Sequence, residues 1–146
     1  MPKKPSRSLE LTDDRMCFGC GTGNSRGLKL RFEWDSAAGR IRTRWVPSKE
    51  FQGYAGIVHG GILALIFDEL LGNLLWGLKK PSVTAEFTVQ FRRPARVGVP
   101  IQFEGRIGSE SAGPGRPSFQ MEGSAKDPSG RVLAEASGRF VQMGRH

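Results

Sequence analysis

The sequence contains very few of the residues that bind metals or form disulfides. Its 146 residues include two cysteines and two histidines. Cys17 and Cys20 are separated by two residues, whereas His59 and His146 are distant in sequence. A structural zinc site needs four ligands, and a redox pair of this spacing is expected inside a strand–helix unit, not before a glycine-rich loop. The pattern favours structural or incidental thiols, and we expect no metal and no cofactor.

The sequence also lacks a long uninterrupted apolar run. Its N-terminus is charged and has no apolar stretch before Cys17, which is not typical of a signal peptide. The most apolar stretch, residues 62–78, is interrupted by Asp68, Glu69 and Asn73. It is also shorter than the roughly 20 residues of a membrane span. We therefore expect a cytoplasmic protein that does not contact a membrane.

Composition and charge indicate one globular domain with an anionic partner. Hydrophobic residues make up 38% and charged residues 25%, as in soluble globular proteins. We expect residues 1–15 to be a mobile basic leader and residues 16–146 to form a single domain. The net charge of +8 favours nucleic acid or a small phosphorylated ligand. Because no motif of interleaved basic and aromatic residues is present, we do not expect nucleic-acid binding.

Hydrophobic periodicity predicts one long helix and several strands. Residues 62–76 are too many for a typical strand, are rich in Leu and Ala, and are apolar on nearly all sides, which indicates a buried helix. The other segments alternate between apolar and polar residues, which is typical of strands with one buried face. We expect an α+β fold in which a curved antiparallel sheet wraps around the helix. The strands are predicted at residues 28–35, 40–45, 83–91, 101–107, 119–125 and 131–143.

The start of the predicted helix is the first candidate for chemistry. Gly60 and Gly61 stand where the first helical N–H groups have no partner within the helix. Such groups can stabilise an oxyanion that forms on a carbonyl. The alternative is an ordinary turn from loop to helix. His59, just before the glycines, is better explained as a ring that caps this turn than as a catalytic base.

Two carboxylates within the apolar helix are the second candidate. Burying Asp68 or Glu69 costs free energy unless the group is paired or lines a cavity. Burial also raises a carboxyl pKa towards values useful to a general base. The alternative is a structural ion pair or an exposed edge of the helix. The sequence alone leaves both interpretations open.

These residues resemble a known family. His59, Gly60 and Gly61, followed by Asp68, are similar to the signature of hotdog-fold thioesterases of the phenylacetate-pathway (PaaI-like) type. The helix motif is moderately specific, and its combination with the next strand and turn is more specific for fold than for substrate. Besides the helix motif, residues 17–28, 51–58 and 83–98 are similar to the same family. The whole resemblance covers roughly residues 17–143.

The resemblance implies a hotdog fold, usually dimeric, and a role for several residues. Asp68 matches the general base or nucleophile, and Gly60 matches the glycine whose N–H polarises the thioester carbonyl. Thr84 matches a hydroxyl that orients the attacking water. Some members carry an Asn where this sequence has Gly53, and Gln52 is the candidate to replace its amide.

We therefore expect an acyl-CoA thioesterase that acts on a small, medium or aromatic acyl group, with a non-catalytic acyl-CoA-binding protein as the alternative. A hotdog dehydratase would need a differently placed His and carboxylate. Asp68 follows Gly60 by eight residues, or roughly 12 Å of helix. This distance predicts a homodimer, or a dimer of dimers, with sites shared between protomers. The predicted substrate-binding residues are His59, Gly61, Glu69, Arg92, Arg93 and Arg96; the arginines would bind CoA phosphates or form a solvated basic turn.

Overall fold

The computed structural model describes residues 11–35, 37–111 and 113–143. Most of the predicted basic leader, residues 1–10, lies outside the described residues, as does His146. The leader and its boundary therefore stay a prediction.

Among the described residues, one α-helix and one antiparallel sheet form the fold, as the sequence predicted. The elements are β1 (Glu33–Asp35), β2 (Arg40–Trp45), α1 (Gly60–Gly77), β3 (Ser82–Phe91), β4 (Ile101–Ser111), β5 (Ser118–Lys126) and β6 (Val132–Gln142). A short 3-10 turn, Lys49–Phe51, precedes the helix. The strand order in the sheet is β1-β2-β4-β5-β6-β3, and every neighbouring pair is antiparallel.

Helix α1 packs against one face of the sheet and contacts strands β2 to β6. Two glycines on the sheet make this approach possible: a Cβ at Gly105 would lie 2.7 Å from Leu71 Cδ2, and one at Gly123 would lie 3.0 Å from Phe67 Cδ1. By length and composition alone the helix could cross a membrane, but core helices of soluble proteins share these properties. Its side chains buried in the core are Leu63, Ile66, Phe67, Leu70, Leu71, Leu74 and Leu75.

The first predicted strand is wrong over most of its length. Only Glu33–Asp35 pairs with β2. The backbone N–H groups of Leu28 and Leu30 instead donate to the carbonyls of Phe18 and Gly19, both at 2.9 Å. Residues 28–30 are therefore engaged by the cysteine-bearing loop, an interaction that alternation in sequence does not reveal.

Strand β3 forms an edge of the sheet. It pairs with β6 on one side, and within the described part of the chain no strand pairs with its other side. None of its residues is fully buried, and Phe91 at its end is 55% exposed. The register shifts between Thr84 and Glu86, which marks a bulge at Ala85. The predicted apolar face of β3 is thus only partly covered in a single chain: Phe87 and Val89 pack against the core, whereas Ala85 and Phe91 are exposed.

Candidate active site

The start of helix α1 presents one unused backbone donor. His59 is the N-cap, and its Nδ1 accepts the Gly61 N–H at 2.9 Å. The carbonyl of His59 accepts the N–H groups of Ile62 and Leu63 at 3.0 and 3.3 Å. The Gly60 N–H has no acceptor among the described residues. His59 therefore caps the turn, and Gly60 is the helix N–H left available to a ligand.

A cleft of about 640 Å³ opens in front of this donor. Gly53, Tyr54, His59, Phe91 and Arg93 are among the residues that line it. A Cβ on Gly60 would lie 3.3 Å from the Phe91 ring, so the glycine keeps this approach open.

Gly53, where some members of the family carry Asn, and Gln52, its possible replacement, are placed differently by the loop before the helix. Gly53 lines the Gly60 cleft, and a Cβ there would make ordinary contacts of 3.5 Å with His59. Gln52 does not line this cleft; its Oε1 accepts the Gly56 N–H at 3.1 Å and braces the loop. The structure therefore does not bring the Gln52 amide to Gly60.

The structure brings Asp68 and Thr84 together. Thr84 Oγ1 donates to Asp68 Oδ1 at 2.5 Å, across 16 residues of sequence. Thr84 stands at the bulge of β3, and Asp68 is half-buried on the face of α1 turned towards that strand. The hydroxyl occupies one carboxylate oxygen, which leaves Asp68 Oδ2 available to a water molecule.

Glu69 lies in a contact that sequence reasoning missed. Its Oε1 accepts from the Cys17 thiol at 3.1 Å and from the Asn73 amide at 3.0 Å. Burial, aided by the Glu69 carboxylate, raises the pKa of the Cys20 thiol. Because 52 residues separate Cys17 from Glu69, no motif in the sequence joins them. Glu69 is thus occupied by the cysteine loop and does not face the Gly60 cleft.

Asp68 and Gly60 open into different clefts of the same chain. The Asp68 cleft, of about 590 Å³, is also lined by Cys17, Glu69 and Thr84 and shares no residue with the Gly60 cleft. The two groups of one chain therefore do not converge on one ligand-sized space.

The basic turn after β3 contains arginines with different partners. Arg92 pairs with Glu135 at 3.1 Å and also donates to Gln90 at 2.7 Å. Arg93 Nη1 donates to the Val132 carbonyl at 3.0 Å. Arg92 and Arg93 line the Gly60 cleft, whereas Arg96 lies with Arg93 in a neighbouring groove.

The solvent-facing side of the sheet carries paired charges away from these clefts. Glu104 contacts Arg40 at 2.7 Å and Arg42 at 2.9 Å. Partial burial raises the pKa of Glu104, but the two guanidinium groups outweigh it and hold that pKa below its usual value. The concavity on this face is lined by such paired groups and contains no predicted site residue.

Residues 55–113, which include Gly60, Asp68 and Thr84, match the family model of the thioesterase superfamily. No curated protein matches the sequence.

Solved structures share the fold at low sequence identity. Protein RHA08564, a thioesterase superfamily protein, is 24% identical, with 93% of this chain and 70% of that chain covered and a TM-score of 0.79. The E. coli PaaI protein from the phenylacetic acid degradation operon is 14% identical over 79% and 84% of the two chains, with a TM-score of 0.70. A hypothetical thioesterase with coenzyme A from Streptococcus pneumoniae TIGR4 is 17% identical over 80% and 88%, also with a TM-score of 0.70.

Proposed function

We propose that this protein is an enzyme that hydrolyses acyl-CoA thioesters. It has the hotdog fold of PaaI-like thioesterases, as its sequence predicted. The observation that carries the proposal is the Gly60 N–H, which has no acceptor in the described part of the chain and begins the helix that also bears Asp68. Thr84 holds the Asp68 carboxylate. This pairing supplies a donor for a developing oxyanion and an oriented base.

In the proposed reaction the thioester carbonyl oxygen accepts a hydrogen bond from the Gly60 N–H. Asp68 Oδ2 removes a proton from water as the water oxygen attacks the carbonyl carbon, while Thr84 holds Oδ1. The tetrahedral intermediate then collapses, the carbon–sulfur bond breaks, and the sulfur of coenzyme A receives the proton from Asp68. The alternative route, in which Asp68 itself attacks the carbonyl, uses the same groups.

The proposed active site is shared between two protomers. Gly60 and Asp68 are roughly 12 Å apart along one helix, and they open into separate clefts. Reacting groups must approach to about 3–3.5 Å. An antiparallel helix from a second chain would place its Gly60 opposite Asp68. The uncovered edge of β3 and the 47%-exposed Trp76 on α1 provide surface for this homodimer or dimer of dimers.

Coenzyme A is the proposed carrier of the acyl group. Its phosphates require positive charge, and Arg93 lines the Gly60 cleft with only a backbone carbonyl as its side-chain partner among the described residues. Arg92 is a weaker candidate because Glu135 already neutralises it. His59, Gly61 and Glu69 also stay predicted substrate-binding residues; of these, His59 lines the cleft.

A non-catalytic acyl-CoA-binding protein is the second candidate, and Gly53 favours it. With glycine at this position, the Gly60 cleft lacks the side-chain amide that some members of the family carry. A panel of acetyl-, hexanoyl-, benzoyl- and phenylacetyl-CoA separates the two functions. Release of free thiol with turnover supports the thioesterase, whereas calorimetric binding without thiol release supports the binding protein.

A further inference from the structure

The cysteine loop and helix α1 bring three potential metal ligands together. The Sγ atoms of Cys17 and Cys20 and a carboxylate oxygen of Glu69 all lie within 4.8 Å of one another. We propose that Cys17, Cys20 and Glu69 bind a Zn²⁺ ion that fastens the segment around residues 11–30 to the middle of the helix. The proposal does not depend on the thioesterase activity.

The donor set and its dimensions suit zinc. Thiolate and carboxylate are both ordinary zinc ligands, at about 2.3 and 2.0–2.2 Å from the ion. Tetrahedral angles then put the two sulfurs about 3.8 Å apart and each sulfur about 3.5 Å from the oxygen. Shifts of about 1 Å in flexible side chains reach this arrangement from the observed one. Glu69 is a third ligand that the sequence did not reveal, and a water molecule would complete the four that a zinc site needs.

The loop that carries the cysteines is held tightly against Glu69. A Cβ on Gly19 would lie 2.6 Å from Glu69 Cγ, and one on Gly21 would lie 2.5 Å from the Arg15 carbonyl oxygen. No larger residue fits at either position without displacing its neighbour. The glycines therefore permit the close approach that places both thiols beside the carboxylate.

Asn73 provides the outer support that metal ligands usually have. Its amide donates to Glu69 Oε1 at 3.0 Å and lies 3.9 Å from Cys20 Sγ. Such a donor orients a ligating carboxylate and stabilises a nearby thiolate. One residue thus contacts two of the three proposed ligands.

The surroundings favour a metal over a reactive thiol pair. A nucleophilic cysteine needs positive surroundings, such as a helix N-terminus or a basic side chain. Cys17 instead contacts a carboxylate, and the described loop around both cysteines is not helical. Zinc binding would require both thiols to lose their protons, and the cation would then offset the repulsion between the two thiolates and the carboxylate.

The proposal is tested on the full chain, purified under reducing conditions from zinc-supplemented cells. Metal content per chain is measured, and the apo protein is titrated with Co²⁺, whose spectrum reports thiolate ligands and tetrahedral geometry. The test variants are Glu69→Gln, which keeps the shape of the side chain, Cys17→Ser and Asn73→Leu. Asp68→Asn is the matched control, because it removes the neighbouring carboxylate but no proposed ligand.

We expect one zinc ion per chain and thiolate-to-cobalt absorption in the wild type and in Asp68→Asn. Asn73→Leu should weaken zinc binding roughly 10- to 100-fold, the usual effect of losing an outer partner, and Glu69→Gln should weaken it more. If Cys17→Ser does not fold, Glu69→Gln decides the matter. Zinc binding by Glu69→Gln at wild-type affinity, equal loss in Asp68→Asn, or a reduced wild type that binds no zinc would each overturn the proposal.

Discussion

Complementation between two inactive chains tests whether sites are shared. Asp68→Asn removes the base, and Gly60→Pro removes the N–H donor. The structure accepts this proline because position 60 is the first helical residue, a favoured site for proline. His59 also has φ −60° and ψ 129°, the extended conformation that a residue before proline adopts. The added ring meets the end of the flexible Phe91 side chain.

The expected activity follows from the symmetry of the proposed dimer. Chains refolded together in equal amounts form mixed dimers in about half of all cases, and each mixed dimer regains one intact site of two. Activity should therefore return to about one quarter of the wild-type value, measured as thiol release. A site built within one chain would give no recovery.

The matched control is a chain that carries both substitutions, refolded with an equal amount of wild type. With shared sites, neither site of a mixed dimer is intact, so about one quarter of the activity of a fully wild-type sample survives. With sites built within one chain, about half survives. The shared site would be refuted if the first mixture regained no activity and the second retained half of the wild-type activity.

Three further predictions concern single residues. Gly53→Asn should raise kcat/KM in steady-state assays about 2- to 10-fold, because it adds one hydrogen bond to the carbonyl. An unchanged or lower kcat/KM would show that the Gly60 cleft does not need a side-chain amide at position 53. Arg93→Ala should raise KM for acyl-CoA about 5-fold but leave a pantetheine thioester unaffected, with a smaller effect for Arg92→Ala; equal effects on both substrates would exclude phosphate recognition. Glu104→Gln should lower stability in urea unfolding by about 1 kcal/mol or less at pH 7. The pKa of Glu104 is lower in the folded than in the unfolded protein. The stability difference should therefore vanish as the pH falls from the pKa of the unfolded state, about 4.3, through the pKa of the folded state. A stability difference that persists at pH 3 would contradict this prediction.

Periodicity was enough to predict the helix and the long strands. The run after Gly61 is apolar over most of its length, and apolar and polar residues alternate near Ile101 and Phe119. The pattern in sequence therefore agrees with the burial in the fold. The failure came at Leu28 and Leu30, whose alternation looks like a strand. Their backbone groups are used by the cysteine loop instead.

The candidate site was predictable only where its residues are near in sequence or belong to a family motif. The glycine at the helix start and Asp68 fall in one short segment, and Thr84 came from the family resemblance. The contact of Glu69 with Cys17 spans 52 residues, and nothing in local patterning reports it. The same holds for the hydrogen bond from the Gly56 N–H to Gln52 Oε1, which depends on how the loop folds.

The most direct test of the proposed chemistry is the turnover of Asp68→Asn. The amide keeps the size of the side chain and can still hydrogen-bond to Thr84, but it cannot take a proton from water. We predict that kcat for acyl-CoA hydrolysis falls roughly 10²- to 10⁴-fold, the usual contribution of a general base, with an unchanged circular dichroism spectrum. A folded Asp68→Asn protein that hydrolyses acyl-CoA at nearly the wild-type rate would contradict the account.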